Sequence, residues 1–344
     1  MPSTDSRIPE PPYDVPADLA QPPRPSEEIA GEPPASGCPS PVPWRQVIDA
    51  FHTEARHWKL DRGRYELEGS TWGEGPPLYF LHGLTAKREL FSLLVWLLRD
   101  TFRCVMIDLP GSRRGRPTRG WLSAGDIASD LFAAADFHGD ERFQLFASSF
   151  SSIVALEALS AGPNRIERAV LQGGFAHLNL SLTERILIRL GLLMPGHLNI
   201  LIFRRTIQAY SHKRWFPPFD HGRWDLYVKS SGEVPMASIA RRAAIIRDYD
   251  GRPKLPQIRQ PVMLIRSEGE GIVSSTAHEE LASGLPNART EWLHSSGHLP
   301  FLTHPHRLAN LVRPFYLGET PAESCDDTAC GSSESEIRPN SPSA

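Results

Sequence analysis

One rhythm constrains this chain more than any other feature: short apolar runs alternate with longer stretches of helical period. The runs are LYFL (78–81), CVMIDL (104–109), FQLFAS (143–148), RAVLQGG (168–174), QPVMLIRS (260–267) and TEWLHSS (290–296). Between the first two, Leu90, Leu93, Leu94 and Leu97 recur at the i, i+3, i+4, i+7 spacing of one helix face. WLSAGDIASDLFAAADFH offers Ser123 as an N-cap with Asp126 three residues later. SSIVALEALSA stops at Gly162-Pro163. Strands that alternate with helices predict a mostly parallel twisted sheet with helices on both faces. RHWKLDRGRYELEGSTWGEG, ahead of that series, alternates with period two and predicts an antiparallel hairpin on the sheet edge. WRQVIDAFHTEARHW reads as a short helix. From about residue 176 to 254 the rhythm breaks. Only helix-like stretches such as LTERILIRLGLLM and ILIFRRTIQAY occur there, which predicts an inserted helical lid.

The rest of the chain is different in kind. Residues 1–43 are crowded with proline, and residues 319–344 are acidic and serine-rich. Neither can bury enough apolar surface to offset chain entropy, so both are expected as disordered tails around a folded domain at 44–318. The 344 residues carry a net charge of −3, with no basic excess to neutralise phosphates, so nucleic acid is not an expected partner. No apolar run approaches the roughly 20 residues of a bilayer span, so stable membrane insertion is not expected. There is no charged-then-apolar leader, and four scattered cysteines do not make a disulfide framework. Cys104 reads as a small core residue and the other three fall in the tails. The expectation is a cytoplasmic protein with free thiols.

In an open parallel sheet, ligands bind at the carboxyl ends of strands. His82-Gly83-Leu84 follows the first run, Ser148-Ser149-Phe150-Ser151 the third, RSEGEGIV the fifth and Ser296-Gly297-His298 the last. A serine cluster, an acid cluster and a histidine therefore meet on one edge. A serine hydroxyl becomes a nucleophile only when a base takes its proton. The loop after the second run holds Arg113, Arg114, Arg116 and Arg119, which read either as a solvated surface or as an anion contact. Trp215, Phe216 and Trp224 read as the lid's own core or as walls of an acyl pocket. His294, His298, His304 and His306 lack a supporting metal-ligand geometry, and no metal or other cofactor is expected.

LYFLHGL, IDLPG, the strand–turn–helix around Ser149, EGEGIV and SSGHLPFLTHP resemble, in that order, the α/β-hydrolase family. The resemblance runs from about residue 64 to 316. It implies Ser149 as nucleophile, His298 as base and Glu270 as the acid that orients the imidazole. Glu270 and Val273 keep the family's spacing between acid and apolar residue; Glu268 is the competitor. The N–H groups of Leu84 and Phe150 would hold the oxyanion. One departure stands out. The family has Gly-x-Ser-x-Gly, whereas this chain has Ala147-Ser148-Ser149-Phe150-Ser151. Small residues remain, but Ser151 stands where glycine is expected, at some cost in strain. The implied activity is hydrolysis of an ester or related acyl bond in a small molecule. Three alternatives remain open: C–C bond cleavage or a lyase reaction on the same fold, ligand binding without catalysis, and an interaction module acting through the tails.

Overall fold

The computed structural model describes residues 42–112, 120–218 and 220–319. Its strands are β1 (Arg56–Asp61), β2 (Glu66–Trp72), β3 (Pro77–Leu81), β4 (Arg103–Ile107), β5 (Phe143–Ser148), β6 (Ile166–Gln172), β7 (Val262–Gly269) and β8 (Ala288–Gly297). They form one sheet in the order β1-β2-β4-β3-β5-β6-β7-β8. β2 runs antiparallel to both β1 and β4, and every other pairing is parallel. The edge hairpin and the parallel body are thus both present.

The sheet is covered on both faces. Residues of β5 are buried throughout and divide by parity. Phe143, Leu145 and Ala147 join the core under α3 (Ala124–His138) and α4 (Ser151–Ala161). Phe146 joins the opposite core, formed with α1 (Trp44–Glu54), α2 (Ser92–Leu98) and α11 (Pro305–Leu317). Each fully buried side chain of this size contributes about 1.5–3 kcal/mol. α3 begins with the expected capping box, in which Ser123 and Asp126 each bond the other's backbone N–H, and ends at Gly139 in the left-handed region.

Local detail differs from the sequence reading in several places. α1 stops at Glu54, because Ala55 is extended and Arg56–Trp58 pair with β2 instead. The helix after β3 is delayed to a 3-10 turn at Arg88–Phe91 followed by α2, since the N–H of Arg88 is held by Asp108. Leu90, Leu93 and Leu94 are buried, but Leu98 rather than Leu97 completes the covered face. Val42, read as tail, is buried, and its carbonyl accepts from Arg223 Nη2 at 3.1 Å.

Between β6 and β7 lie α5 (Leu182–Leu193), α6 (Arg204–His212), α7 (His221–Gly232) and α8 (Met236–Asp248). An isolated antiparallel bridge from His177 to Asp250 closes the neck of this insertion. Residues 200–203 of the helix-like ILIF stretch precede α6 rather than belong to it. Two short helices, α9 (Ser275–Gly284) and α10 (Pro300–Thr303), complete the set. Among the described residues no helix is long and apolar enough to cross a membrane.

Candidate active site

β5 ends at Ser148 and α4 begins at Ser151, so Ser149 sits in the sharp turn between them. Its φ is +53°, and among the described residues only Ser295 shares that conformation without being glycine. An L-residue held there costs roughly 1–2 kcal/mol. Hydrogen bonds hold it in place. The Ser149 N–H donates to Gln172 O at 2.8 Å, and Ser149 O accepts from the Ser152 N–H at 2.8 Å. Each neighbouring serine also has a partner. Ser148 Oγ donates to Gln172 Oε1 at 2.7 Å. Ser151 Oγ donates to His82 O at 2.6 Å. Ser152 Oγ donates to Phe175 O at 3.2 Å and accepts from the Phe175 N–H at 3.1 Å. The residue in place of glycine therefore ties the turn to the loop after β3.

At the ends of β7 and β8 the two candidate acids separate clearly. Both carboxylate oxygens of Glu270 lie 2.8 Å from His298 Nδ1. Glu270 Oε1 also accepts from the N–H groups of Ile272 at 3.1 Å and Val273 at 3.3 Å. This is the physical content of the spacing read from the sequence. Burial opposes the Glu270 charge, yet His298 and these two N–H groups together hold its carboxyl below the usual range. Glu268 is exposed and accepts from the N–H of Ser295 at 2.8 Å, steadying the left-handed residue three positions before His298. Gly173, at φ +57°, lies against the pair: a Cβ there would stand 3.0 Å from both Glu270 Oε2 and His298 Cε1. Gln172 bridges the two halves, since its Nε2 donates to His298 O at 3.1 Å while its Oε1 holds Ser148.

The two expected oxyanion donors are prepared from behind. His82 Nε2 accepts from the Leu109 N–H at 3.0 Å, so the ring proton is placed on Nδ1, which donates to Gly83 O at 2.9 Å. That carbonyl belongs to the peptide whose N–H is Leu84's, and bonding one end polarises the other. Burial, with Arg242 beside it, pulls the His82 pKa down to about 4, so the ring is neutral at pH 7. Phe150 precedes the first residue of α4, where helix N–H groups lack intrahelical acceptors.

The insertion contributes groups that sequence reading missed. Arg242 of α8 is buried and donates to Leu84 O at 2.8 Å, Leu109 O at 3.3 Å, Pro110 O at 3.2 Å and Ser112 Oγ at 2.6 Å. Burial pulls its pKa to about 10, so it stays charged at neutral pH. His212 of α6 stacks on His298 with ring centroids 6.2 Å apart and 26° between planes. Burial and His298 draw the His212 pKa down to about 4. Trp215 lies across Gly269 and Gly297, where an added Cβ would fall 1.9 Å and 2.3 Å from its ring. Phe216 and Trp224 pack on each other and on Tyr227, and all three join the sheet core that holds Phe80, Phe91 and Phe301 rather than forming a separate core of the insertion. Arg113, Arg114, Arg116 and Arg119 lie outside the described residues. Among the described residues no three His, Cys, Asp or Glu side chains gather as a metal cluster.

Ser149 and His298 open on one cavity of about 520 Å³. Its walls are mainly apolar, with Leu84, Phe175 and Phe301 from the body and Leu198, Ile207 and Ile246 from the insertion. The model of the alpha/beta hydrolase family matches residues 78–311, which hold all of these groups. The chain belongs to the alpha/beta hydrolase family. A pimeloyl-acyl-carrier-protein methyl ester esterase of Nitrosomonas europaea is 24% identical over 257 residues, covering 70% of this chain and 95% of that protein. A hydrolase from Pseudomonas aeruginosa PA01 superposes with a TM-score of 0.66 at 20% identity, over 76% of this chain and 98% of that one. The enol-lactonase from Burkholderia xenovorans LB400 gives 0.64 at 17% identity, over 76% and 100%. This alpha/beta hydrolase thus shares its fold with proteins of several acyl chemistries.

Proposed function

We propose that the protein is a serine hydrolase that cleaves an ester or related acyl bond of a small molecule through an acyl-enzyme. The observation that carries this reading is Ser149, held at φ +53° beside a cavity that it shares with the Glu270-bonded His298. In the proposed sequence, Ser149 Oγ attacks the substrate carbonyl while His298 Nε2 takes its proton. Glu270 keeps the proton on Nδ1 and stabilises the imidazolium. The N–H groups of Leu84 and Phe150 receive the charge that develops on the carbonyl oxygen. The intermediate collapses, and His298 returns the proton to the leaving alcohol. Water then enters, and His298 takes its proton as the oxygen attacks the acyl carbon. The second intermediate collapses with return of that proton to Ser149 Oγ, which frees the acid and restores Ser149. Neutral His212 favours this scheme, because a second charge stacked on His298 would oppose formation of the imidazolium.

The apolar walls suit an acyl or alkyl group of modest size, with α5–α8 acting as the lid over it. The Nitrosomonas relative, named for a methyl ester, and the lactonase neighbour support acyl-bond chemistry. A fluorophosphonate probe tests the reading. Wild type is expected to label covalently and Ser149→Ala to stay unlabelled. Equal labelling of the two, or none of wild type, would overturn the assignment.

A further inference from the structure

α6 is folded inside out. Its polar residues Arg204, Gln208 and His212 are 9%, 9% and 8% exposed, whereas Ile207 and Tyr210 are 65% and 89% exposed. The inward stripe lines the cavity, and Arg204 Nη1 donates to Gln208 Oε1 at 2.9 Å and to Val228 O at 2.9 Å. A helix at a water boundary places these faces the other way round. The approach to α6 continues the pattern, with Ile202 89% and Phe203 73% exposed. Leu201, Ile202, Phe203 and Ile207 are exposed and also line the cavity, so the apolar surface runs into its mouth. α5 adds a second apolar face. It rests on α8 through Gly191 against Ala240, while Leu182, Ile186, Leu187, Leu190 and Leu193 face outward.

We propose that these exposed apolar residues of α6, its approach and α5 dock on an anionic lipid–water interface. The charge decides the occupant. Residues 181–218 expose Arg185, Arg189, Arg205, Lys213 and Arg214 against a single acid, Glu184, in a chain whose net charge is −3. An apolar helix face flanked by basic residues is the composition of interfacial helices, and anionic headgroups attract each base. A second copy meeting the same face would set one basic excess against another. Docking is peripheral, since no described helix can cross a bilayer. It brings the cavity mouth to the lipid, so that an apolar ester dissolved there reaches Ser149 without crossing water; that last clause alone rests on the hydrolase reading.

The test is co-sedimentation of the full chain with phosphatidylcholine vesicles, with and without phosphatidylglycerol. Wild type is expected to sediment with the anionic vesicles, less so as salt rises. Arg189→Ala is expected to weaken partitioning roughly fivefold, and Leu190→Asp/Leu193→Asp or Tyr210→Asp to abolish most of it. None of these four residues lines the cavity, so turnover of a short water-soluble ester is expected to be unchanged. Absence of wild-type binding, or full binding by Asp variants with native near-ultraviolet dichroism, would overturn the proposal. So would a sedimentation-velocity dimer that the Asp variants dissociate, which would assign the face to a second copy. Vesicle binding is read without turnover, so it fails or holds independently of the probe experiment on Ser149.

Discussion

The turn at Ser149 and the helix α6 face each other across one cavity and are built on opposite plans. In the turn, the hydroxyls of Ser148, Ser151 and Ser152 all have partners inside the sheet body. In α6, Arg204 Nε and His212 Nδ1 are buried without a hydrogen-bond partner, and the apolar residues point out. A fully satisfied polar network rigidifies; an incompletely satisfied one is less specified. The turn is therefore the precise side of the site, and α6 supplies wall and surface. The difference teaches where a mutation acts on chemistry and where it acts on access.

The comparison can be broken most forcefully at the acid. Glu270→Gln is expected to lower kcat/KM roughly 10³- to 10⁴-fold, as loss of the carboxylate that fixes the imidazole does in serine hydrolases. Glu268→Gln should stay within a few-fold on the same short ester. Equal losses would mean that β8 shape, rather than charge at Nδ1, governs the histidine. The joint between the two plans comes next. Arg242→Met removes four hydrogen bonds, two from buried and two from half-buried acceptors, each contributing about 0.5–1 kcal/mol. Urea unfolding should show a stability loss of about 2–4 kcal/mol. A loss near zero would uncouple insertion from body. The smallest effect is expected at Ser151→Ala, which cuts the bond to His82 O. Urea unfolding should register about 1 kcal/mol, with only a modest fall in kcat. A larger fall in kcat would show that this hydroxyl positions the oxyanion donors as well as filling space.

What could be read from the chain beforehand follows from the range of each interaction. The parallel sheet was legible because burial on both faces leaves uninterrupted apolar runs such as LYFL and VMLI. Glu270 was legible over Glu268 because its supporting N–H groups, Ile272 and Val273, are local. The placement of Ser149 on a strand–helix turn, at the same sheet edge as Glu270 and His298, was legible through their order in the chain. The task of Ser151 was not, because its partner His82 lies 69 residues away. Arg242 gave no signal either: it sits in an unremarkable helix, and its acceptors are 130 to 158 residues distant in sequence. α6 misleads in a different way. Its amphipathic pattern announces a helix correctly, but the usual rule would turn the apolar side inward, and the cavity reverses that rule.

Arg242 also bears on how such a protein could be recombined. Its side chain starts in the insertion and ends on the carbonyl of Leu84, a residue of the neighbouring loop. A chimera that exchanged residues 176–254 for the equivalent segment of a relative would carry over a roof of different shape. Unless the graft brought a cation to the same spot, it would also leave the loop carrying the Leu84 N–H unheld. Substrate range and turnover would then change together, and a screen of grafted insertions would report the two as one.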